Sequence, residues 1–381
     1  MFNMKFTIVG AGIGGLTTAI ALEQKGFEVE IFESFPEMKR MGAGLVLANN
    51  AMSVFQRLGL AETIYKNSNR ISSLKLVDEK LDVLTEINMT SFEQKLGVHY
   101  AAIHRGTLQE ILLKNLKSTK LHLGKRLKYI EEYKDTIHLH FEDGMSHEAN
   151  ILIGADGIHS VVRNLFFPKT EIRNAHQVCW RGITKMKLPI KFHHELNESW
   201  GKGTRFGIVP LKDGEVYWFA LANYKNNFRT EFQEADLGEM FSDYDPIIAK
   251  IIHSTPTDKI IINEINDLKP IKKWHTNKVC LIGDAAHATT PNMGQGACQS
   301  IEDALALSVC LEKEKDIEKA FSNFQKLRIK KANGIINQSW QIGKMAQIEN
   351  SFGRKIRNSI MKLTPDFLGE KQSAKIFELN F

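Results

Sequence analysis

Residues 4–33 read MKFTIVGAGIGGLTTAIALEQKGFEVEIFE. Met4 to Val9 is a short apolar strand, and a glycine turn follows it directly. A helix is expected from about Ile13 to Lys25, with Gly26 where a C-terminal cap belongs. Phe27 to Phe32 then alternates apolar and charged residues, as a second strand does. The unit is βαβ, and its turn carries G-x-G-x-x-G at Gly10, Gly12 and Gly15, with Ile13 and Gly14 in the opening helical turn. Alone that pattern is weak. Between a strand and a helix, with Glu33 about 20 residues on, it is strong. Gly10 allows the tight turn, Gly12 lets the backbone approach a pyrophosphate, and Gly15 lets helix and strand pack closely. The helix start adds free N–H groups and a partial positive charge. Glu33 is placed to accept hydrogen bonds from an adenosine ribose and to repel a 2′-phosphate, so the site suits FAD or NAD rather than NADP.

Working outward, 381 residues suggest two or three domains. An apolar content of 43% excludes a disordered chain. Four cysteines (Cys179, Cys280, Cys298, Cys310) form no C-x-x-C pair and no metal spacing. They read as reduced thiols, and the expected location is the cytoplasm. No apolar run reaches the ~18 residues of a membrane span, and the first residues read as a strand entering a glycine turn rather than as a charged region before a cleavable apolar stretch. The net charge of +6 is spread along the chain, which reads as a solvated surface and gives no nucleic-acid partner. The basic, amphipathic stretch Arg354 to Leu363 reads as a surface helix docked on the body, with membrane contact as the alternative.

The α/β texture is interrupted. Strand-like pieces dominate between about 173 and 267: Gln177 to Thr184, Thr204 to Val209 and Glu215 to Leu221. After Pro270 another buried strand, Val279 to Ile282, leads into helices over most of 297–350. A discontinuous first domain is expected at 1–72, 98–172 and 268–345. A second follows at 73–97 and 173–267, and a helical tail at 346–381.

Two further turns carry chemistry. Gly283-Asp284 ends the Val279 strand and runs on to Pro291 and Gly294-Gln295-Gly296-Ala297. Gly283 permits close approach, Asp284 can accept hydrogen bonds from a polyol, and the next helix start suits developing negative charge. A reduced flavin carries that charge at its N1–C2 carbonyl edge, and this separates FAD from a plain NAD site. Gly154-Ala155-Asp156-Gly157 is likewise a strand followed by a glycine turn; alone it also fits an ordinary β–α turn.

Together these residues resemble the class A FAD-dependent aromatic hydroxylases, built like para-hydroxybenzoate hydroxylase. The resemblance spans nearly the whole chain. It implies an α/β fold: a Rossmann-like FAD-binding domain of the GR2 type, an inserted antiparallel substrate sheet and C-terminal helices. The glycine turn with Glu33 resembles the first FAD motif. Asp156 falls in the motif associated with both FAD and reduced nicotinamide. Gly283, Asp284, Pro291, Gly294, Gln295, Gly296 and Ala297 fall in the motif on the ribityl chain and flavin ring. Arg105 matches an arginine near the ribityl and pyrophosphate, and Gly42-Ala43-Gly44 the mobile loop beside the ring. The implied cycle has NADPH or NADH, bound transiently, reduce FAD. O₂ then adds at flavin C4a, and the hydroperoxide hydroxylates a small aromatic or heterocyclic substrate. A monomer or weak homodimer is expected.

The stretches 201–220 and 291–304 look closest to the urate hydroxylase and zeaxanthin epoxidase branch, which implies that Arg205 and Tyr217 serve the substrate. Strand geometry tests this. With Asp213-Gly214 as a two-residue hairpin turn, Arg205 shares a face with Trp218; a longer loop restores Tyr217 to that face. His287 reads as packed and hydrogen-bonded rather than as a base, and Trp180, Trp218 and Phe219 as core. The alternatives are a same-fold epoxidase, reductase, halogenase or antibiotic-inactivating monooxygenase, or a non-catalytic FAD-fold protein. The halogenase reading is weakened because the sequence contains no W-x-W-x-I-P.

Overall fold

The computed structural model describes residues 4–38, 43–133, 136–232 and 237–381. Its organising element is a parallel sheet of five strands, in the order Val279–Leu281, Ile151–Gly154, Lys5–Val9, Glu28–Phe32 and Lys120–His122. The central strands are continuous apolar runs because both faces are covered. Helix Ile13–Gln24 packs against helix Gly296–Lys313 on this sheet.

The register matters most for function. Val9 pairs with Gly154, and Gly154 with Leu281. Three strands therefore end level, and each of the three glycine motifs starts at the carboxyl edge of one of them. Open α/β sheets take ligands at that edge.

The second large sheet has seven strands, in the order Ile261–Leu268, Ile172–Lys185, Glu215–Asn223, Thr204–Pro210, Glu195–Trp200, Ser73–Val77 and Val83–Asn88. It departs from the expected antiparallel sheet in one pair, Glu195–Trp200 with Ser73–Val77, which runs parallel. One face packs Phe206, Ile208, Trp218 and Trp180 against Ile248 and Ile251 of helix Pro246–His253, forming a separate core. Gly44–Leu47, Tyr100–His104 and Asn69–Ile71 form a small antiparallel sheet in that order. Helices Ile317–Ala346, Ser351–Leu363 and Asp366–Phe377 follow. Among the described residues, no helix is long and apolar enough to cross a membrane.

The hairpin in the second sheet closes with the longer of the two loops considered. Val209 pairs with Tyr217 and Arg205 with Leu221. The loop is therefore Lys212-Asp213-Gly214, three residues, with Asp213 at φ +59° and Gly214 at φ +74°. The extra residue puts Arg205 on the face of Tyr217 and Phe219, and leaves Trp218 on the core face.

Candidate functional site

The glycine turn is interlocked with its neighbours. Gly10 sits at φ +105°, and a Cβ there would lie 2.4 Å from the Ala155 carbonyl oxygen. A Cβ on Gly15 would lie 2.0 Å from the Gly10 oxygen. These glycines serve packing. Gly12 differs: its φ of −68° is ordinary, and a Cβ would meet nothing within 4 Å. Space therefore lies in front of Gly12, where the helix presents its first amides; the first helical bond is donated by Leu16.

Glu33 is buried and fastens this turn. Its Oε2 accepts from the Ala11 amide at 2.7 Å, and its Oε1 from Ser34 Oγ and the Phe35 amide, both at 2.9 Å. Gln109 Nε2 holds the Ala11 carbonyl at 3.1 Å from helix Arg105–Lys114. Arg105, first residue of that helix, is exposed, and its guanidinium makes no hydrogen bond or ion pair among the described residues.

Asp156 points into its own turn. Its carboxylate accepts from Ser160 Oγ at 2.5 Å and from the Val161 and Val162 amides at 2.7 and 3.2 Å. Burial holds this carboxyl above the usual carboxylate range, although those hydrogen bonds oppose it. Its role in the geometry is to cap helix Val161–Phe166. Arg163, fully buried, joins this turn to the next motif by donating to the Ile158 and Ala285 carbonyls at 2.6 and 3.2 Å.

Gly283 sits at φ +56°, and both it and Gly14 lie against Ser300. Asp284, the next residue, is exposed and makes no hydrogen bond among the described residues. Pro291 and Gly294 are exposed, Gly294 at φ +61°, and Gly296 and Ala297 open the 18-residue helix. The Gly283–Ala297 stretch thus presents a carboxylate and a helix start together. Gln295 faces inward, accepting from Asn50 Nδ2 at 3.2 Å and Gln299 Nε2 at 3.0 Å.

Behind this loop lies a buried ionic network that the sequence reading missed. Asp303 Oδ2 accepts from the Gly283 amide at 2.9 Å and pairs with His287 Nε2 at 2.5 Å; its Oδ1 accepts from Arg328 Nε at 2.8 Å. Burial by itself would raise the Asp303 carboxyl, but His287 and Arg328 hold it below its ordinary range. Glu302 takes Arg328, Asn50 and Lys331, the last at 2.8 and 2.9 Å. His287 is thus packed and paired, with Asp303 rather than Asp284. The overlooked signal was Glu302-Asp303 inside a run of small and apolar residues, since buried carboxylates need partners.

The second sheet supplies the opposing wall. Arg205, Gly207, Tyr217 and Phe219 share its other face, and Arg181 joins them by pairing with Phe219. Position 205 is four residue steps from Val209, the partner of Tyr217, so Arg205 and Tyr217 sit about 13 Å apart along the strands. The Phe219 ring lies between, over Gly207. Trp180 and Trp218 are core as expected, whereas Phe219 is half-buried on this wall. Arg205 is buried and donates to Glu198 Oε1 at 3.1 Å and to Asn292 Oδ1 at 2.7 Å. Asn292 belongs to the Pro291–Gly296 loop, so this bond ties the wall to the Gly283 motif. Among the described residues, the buried Nε groups of Arg205 and Arg181 have no hydrogen-bond partners. Burial pushes the Tyr217 phenol well above its usual range, so it stays protonated. Gly44 lies directly under the Tyr217 ring, beside buried Ala43; Gly42 lies outside the described residues.

The site fits FAD by its own chemistry: open space before Gly12, free helix-start amides, an unengaged carboxylate at Asp284 and an unengaged cation at Arg105. The family described as FAD binding domain matches residues 3–315. The chain is 33% identical over 357 residues to an aurachin C monooxygenase/isomerase of Stigmatella aurantiaca, covering 93% of each chain. It is 29% identical over 342 residues to an FAD-dependent urate hydroxylase of Klebsiella oxytoca, covering 87% of this chain and 88% of that one. Its fold is similar to that of Klebsiella pneumoniae HpxO complexed with FAD and uric acid, with a TM-score of 0.88 and 24% identity over 98% of this chain and 96% of that one.

Proposed function

We propose, on the premise that this chain belongs to the FAD binding domain family, that it uses NADH or NADPH and O₂ to hydroxylate a small aromatic or heteroaromatic substrate. Family membership makes it an FAD-dependent monooxygenase of the aromatic-hydroxylase type. One oxygen atom enters the substrate, the other leaves as water, and the nicotinamide supplies the electron pair.

FAD, when bound, supplies the redox and oxygen-activating chemistry. The protein's residues bind, orient and shield. Gly10, Gly12, Ile13, Gly14 and Gly15 would cradle the pyrophosphate, with Arg105 adding charge. Glu33 would hold the ribose with the lone pairs its backbone bonds leave over. Asp284 would hold the ribityl hydroxyls. Pro291, Gly294, Gln295, Gly296 and Ala297 would bring helix-start amides to the flavin edge that gains negative charge. Asp156 acts through its turn. The Gly42-Ala43-Gly44 loop would border the ring.

Arg205 and Tyr217 would serve the substrate. The observation that carries this is the 2.7 Å bond from Arg205 to Asn292, which joins the substrate wall to the flavin loop. Because burial keeps Tyr217 protonated, it acts as a hydrogen-bond donor, not a base. The Arg181 and Arg205 guanidinium groups on the same face favour an electron-rich or anionic ring.

The test is NAD(P)H oxidation by the flavin-loaded protein against a panel of phenols, quinolones, purines and polyketide antibiotics. A panel member that accelerates oxidation and gains one oxygen by mass spectrometry is the expected outcome. Acceleration without oxygen uptake would replace the proposal with a reductase.

A further inference from the structure

Helix Ser351–Leu363 is turned inside out. Its apolar residues Phe352, Ile356, Ile360 and Leu363 recur at spacings of four, four and three, on one face. That face is in solvent: the four are 72, 44, 59 and 82% exposed. The face against the body is carried largely by arginine. Arg357 donates to the Ala346 and Trp200 carbonyls at 2.9 and 3.2 Å and lies over the Trp200 ring; Arg354 pairs with Glu79. Met361 is the apolar residue that packs inward, against Trp200 and Leu84. A helix serving only the fold would bury the opposite stripe.

The charges say what meets the exposed face. Residues 351–363 contain Arg354, Lys355, Arg357 and Lys362 and no acid. Lys355 and Lys362 are exposed and lie one turn-width beside the apolar stripe. The acid that pairs with this helix, Glu79, is engaged by Arg354. Two antiparallel copies joined about a two-fold axis through this stripe would bring the lysine rows together, at a repulsive cost. An anionic lipid surface meets both features: its headgroups neutralise the lysines, and its acyl boundary takes the phenylalanine and aliphatic side chains.

We propose that helix Ser351–Leu363 docks this enzyme reversibly on an anionic membrane surface, lying in the interface with Phe352, Ile356, Ile360 and Leu363 inserted. Through Arg357 and Trp200 the helix is fastened to the strand that pairs with the Arg205 strand, so docking places the substrate wall close to the bilayer. The proposal does not depend on the reaction catalysed.

The experiment is sedimentation of the full-length, FAD-loaded protein with phosphatidylcholine vesicles, with and without phosphatidylglycerol, at low and high salt. The wild type is expected to sediment with the anionic vesicles at low salt and to be released by high salt. Phe352→Ser/Ile360→Ser should lower that partitioning about tenfold or more. Lys355→Glu/Lys362→Glu should abolish the preference for anionic lipid. Both variants should melt like the wild type, because these side chains contact no core. Wild type left in the supernatant of anionic vesicles would overturn the proposal, as would stripe variants that sediment unchanged. A dimer that the stripe variants convert to monomers, with no vesicle binding, would assign the face to a second copy.

Discussion

Gly12 and Gly15 look alike in the sequence, yet the structure gives them different work. A methyl at Gly15 collides with the Gly10 carbonyl, whereas one at Gly12 meets only open space. Gly15→Ala should therefore destabilise the fold by about 1–3 kcal/mol. Gly12→Ala should leave the flavin-free protein within about 0.5 kcal/mol of wild type but weaken FAD by about tenfold or more, read by flavin fluorescence titration. If both variants lose only stability, Gly12 does not face the pyrophosphate. Asp284, exposed and unengaged, is the other residue whose position asks for a ligand. Asp284→Ala should weaken FAD by roughly 1–3 kcal/mol, the worth of hydrogen bonds to a charged acceptor, with little change in the melting temperature of the flavin-free protein. Unchanged flavin content on gel filtration would count against it. These two sites were legible in the sequence because turn chemistry is local: a strand, a glycine and a helix start within a few residues. The inward turn of Asp156 was not, since Ser160 and the Val161 amide compete for its carboxylate only once the turn has formed.

At the level of strands and helices, the face of the Thr204–Pro210 strand hinged on one loop residue. Counting Lys212 into the turn moved Tyr217, not Trp218, onto the wall with Arg205; a period-2 pattern reverses on such a slip, and the sequence does not say which turn closes. The helix Gly296–Lys313 hid its ionic network for another reason: the partners of Glu302 and Asp303 come from distant parts of the chain, Asn50, His287, Arg328 and Lys331. Asp303→Asn should cost about 3 kcal/mol or more, as removal of one partner strands Arg328, and should weaken FAD through the Gly283 amide. Thermal melts with and without flavin would show it; equal melting of variant and wild type would remove Asp303 from the account. Strand Glu28–Phe32 carries a pH-dependent clasp. Glu30 is buried with Lys5 Nζ at 2.9 Å and a His147 ring nitrogen at 2.6 Å. Burial alone would raise its carboxyl, but His147 and Lys5 bring it down to about 2 from an ordinary 4.5. A depressed carboxylate stabilises the fold above its ordinary value and loses that contribution as pH falls towards the folded value. Glu30→Gln should thus cost roughly 1–2 kcal/mol near neutrality, and the gap from wild type should close between about pH 4.5 and pH 2. Denaturation curves across that range check the sign, and a gap that widens on acidification would refute it.

Across the molecule, the parallel sheet brings three motifs from residues 10, 154 and 283 to one level edge. The seven-stranded sheet lays a wall against it through Arg205 and Asn292. The parallel sheet and its motifs could be read from the order of apolar strands and glycines. The wall's composition could not, because it depends on strand register and on which of two faces meets the flavin loop. The proposed reaction moves one atom of O₂ into an organic ring. Its most direct test is turnover of a panel substrate under isotopically heavy dioxygen in ordinary water, with NAD(P)H consumption followed alongside. The expected product carries a single heavy oxygen atom for each NAD(P)H oxidised. A product whose new oxygen comes from water, or NAD(P)H consumption that proceeds equally well without dioxygen, would contradict it.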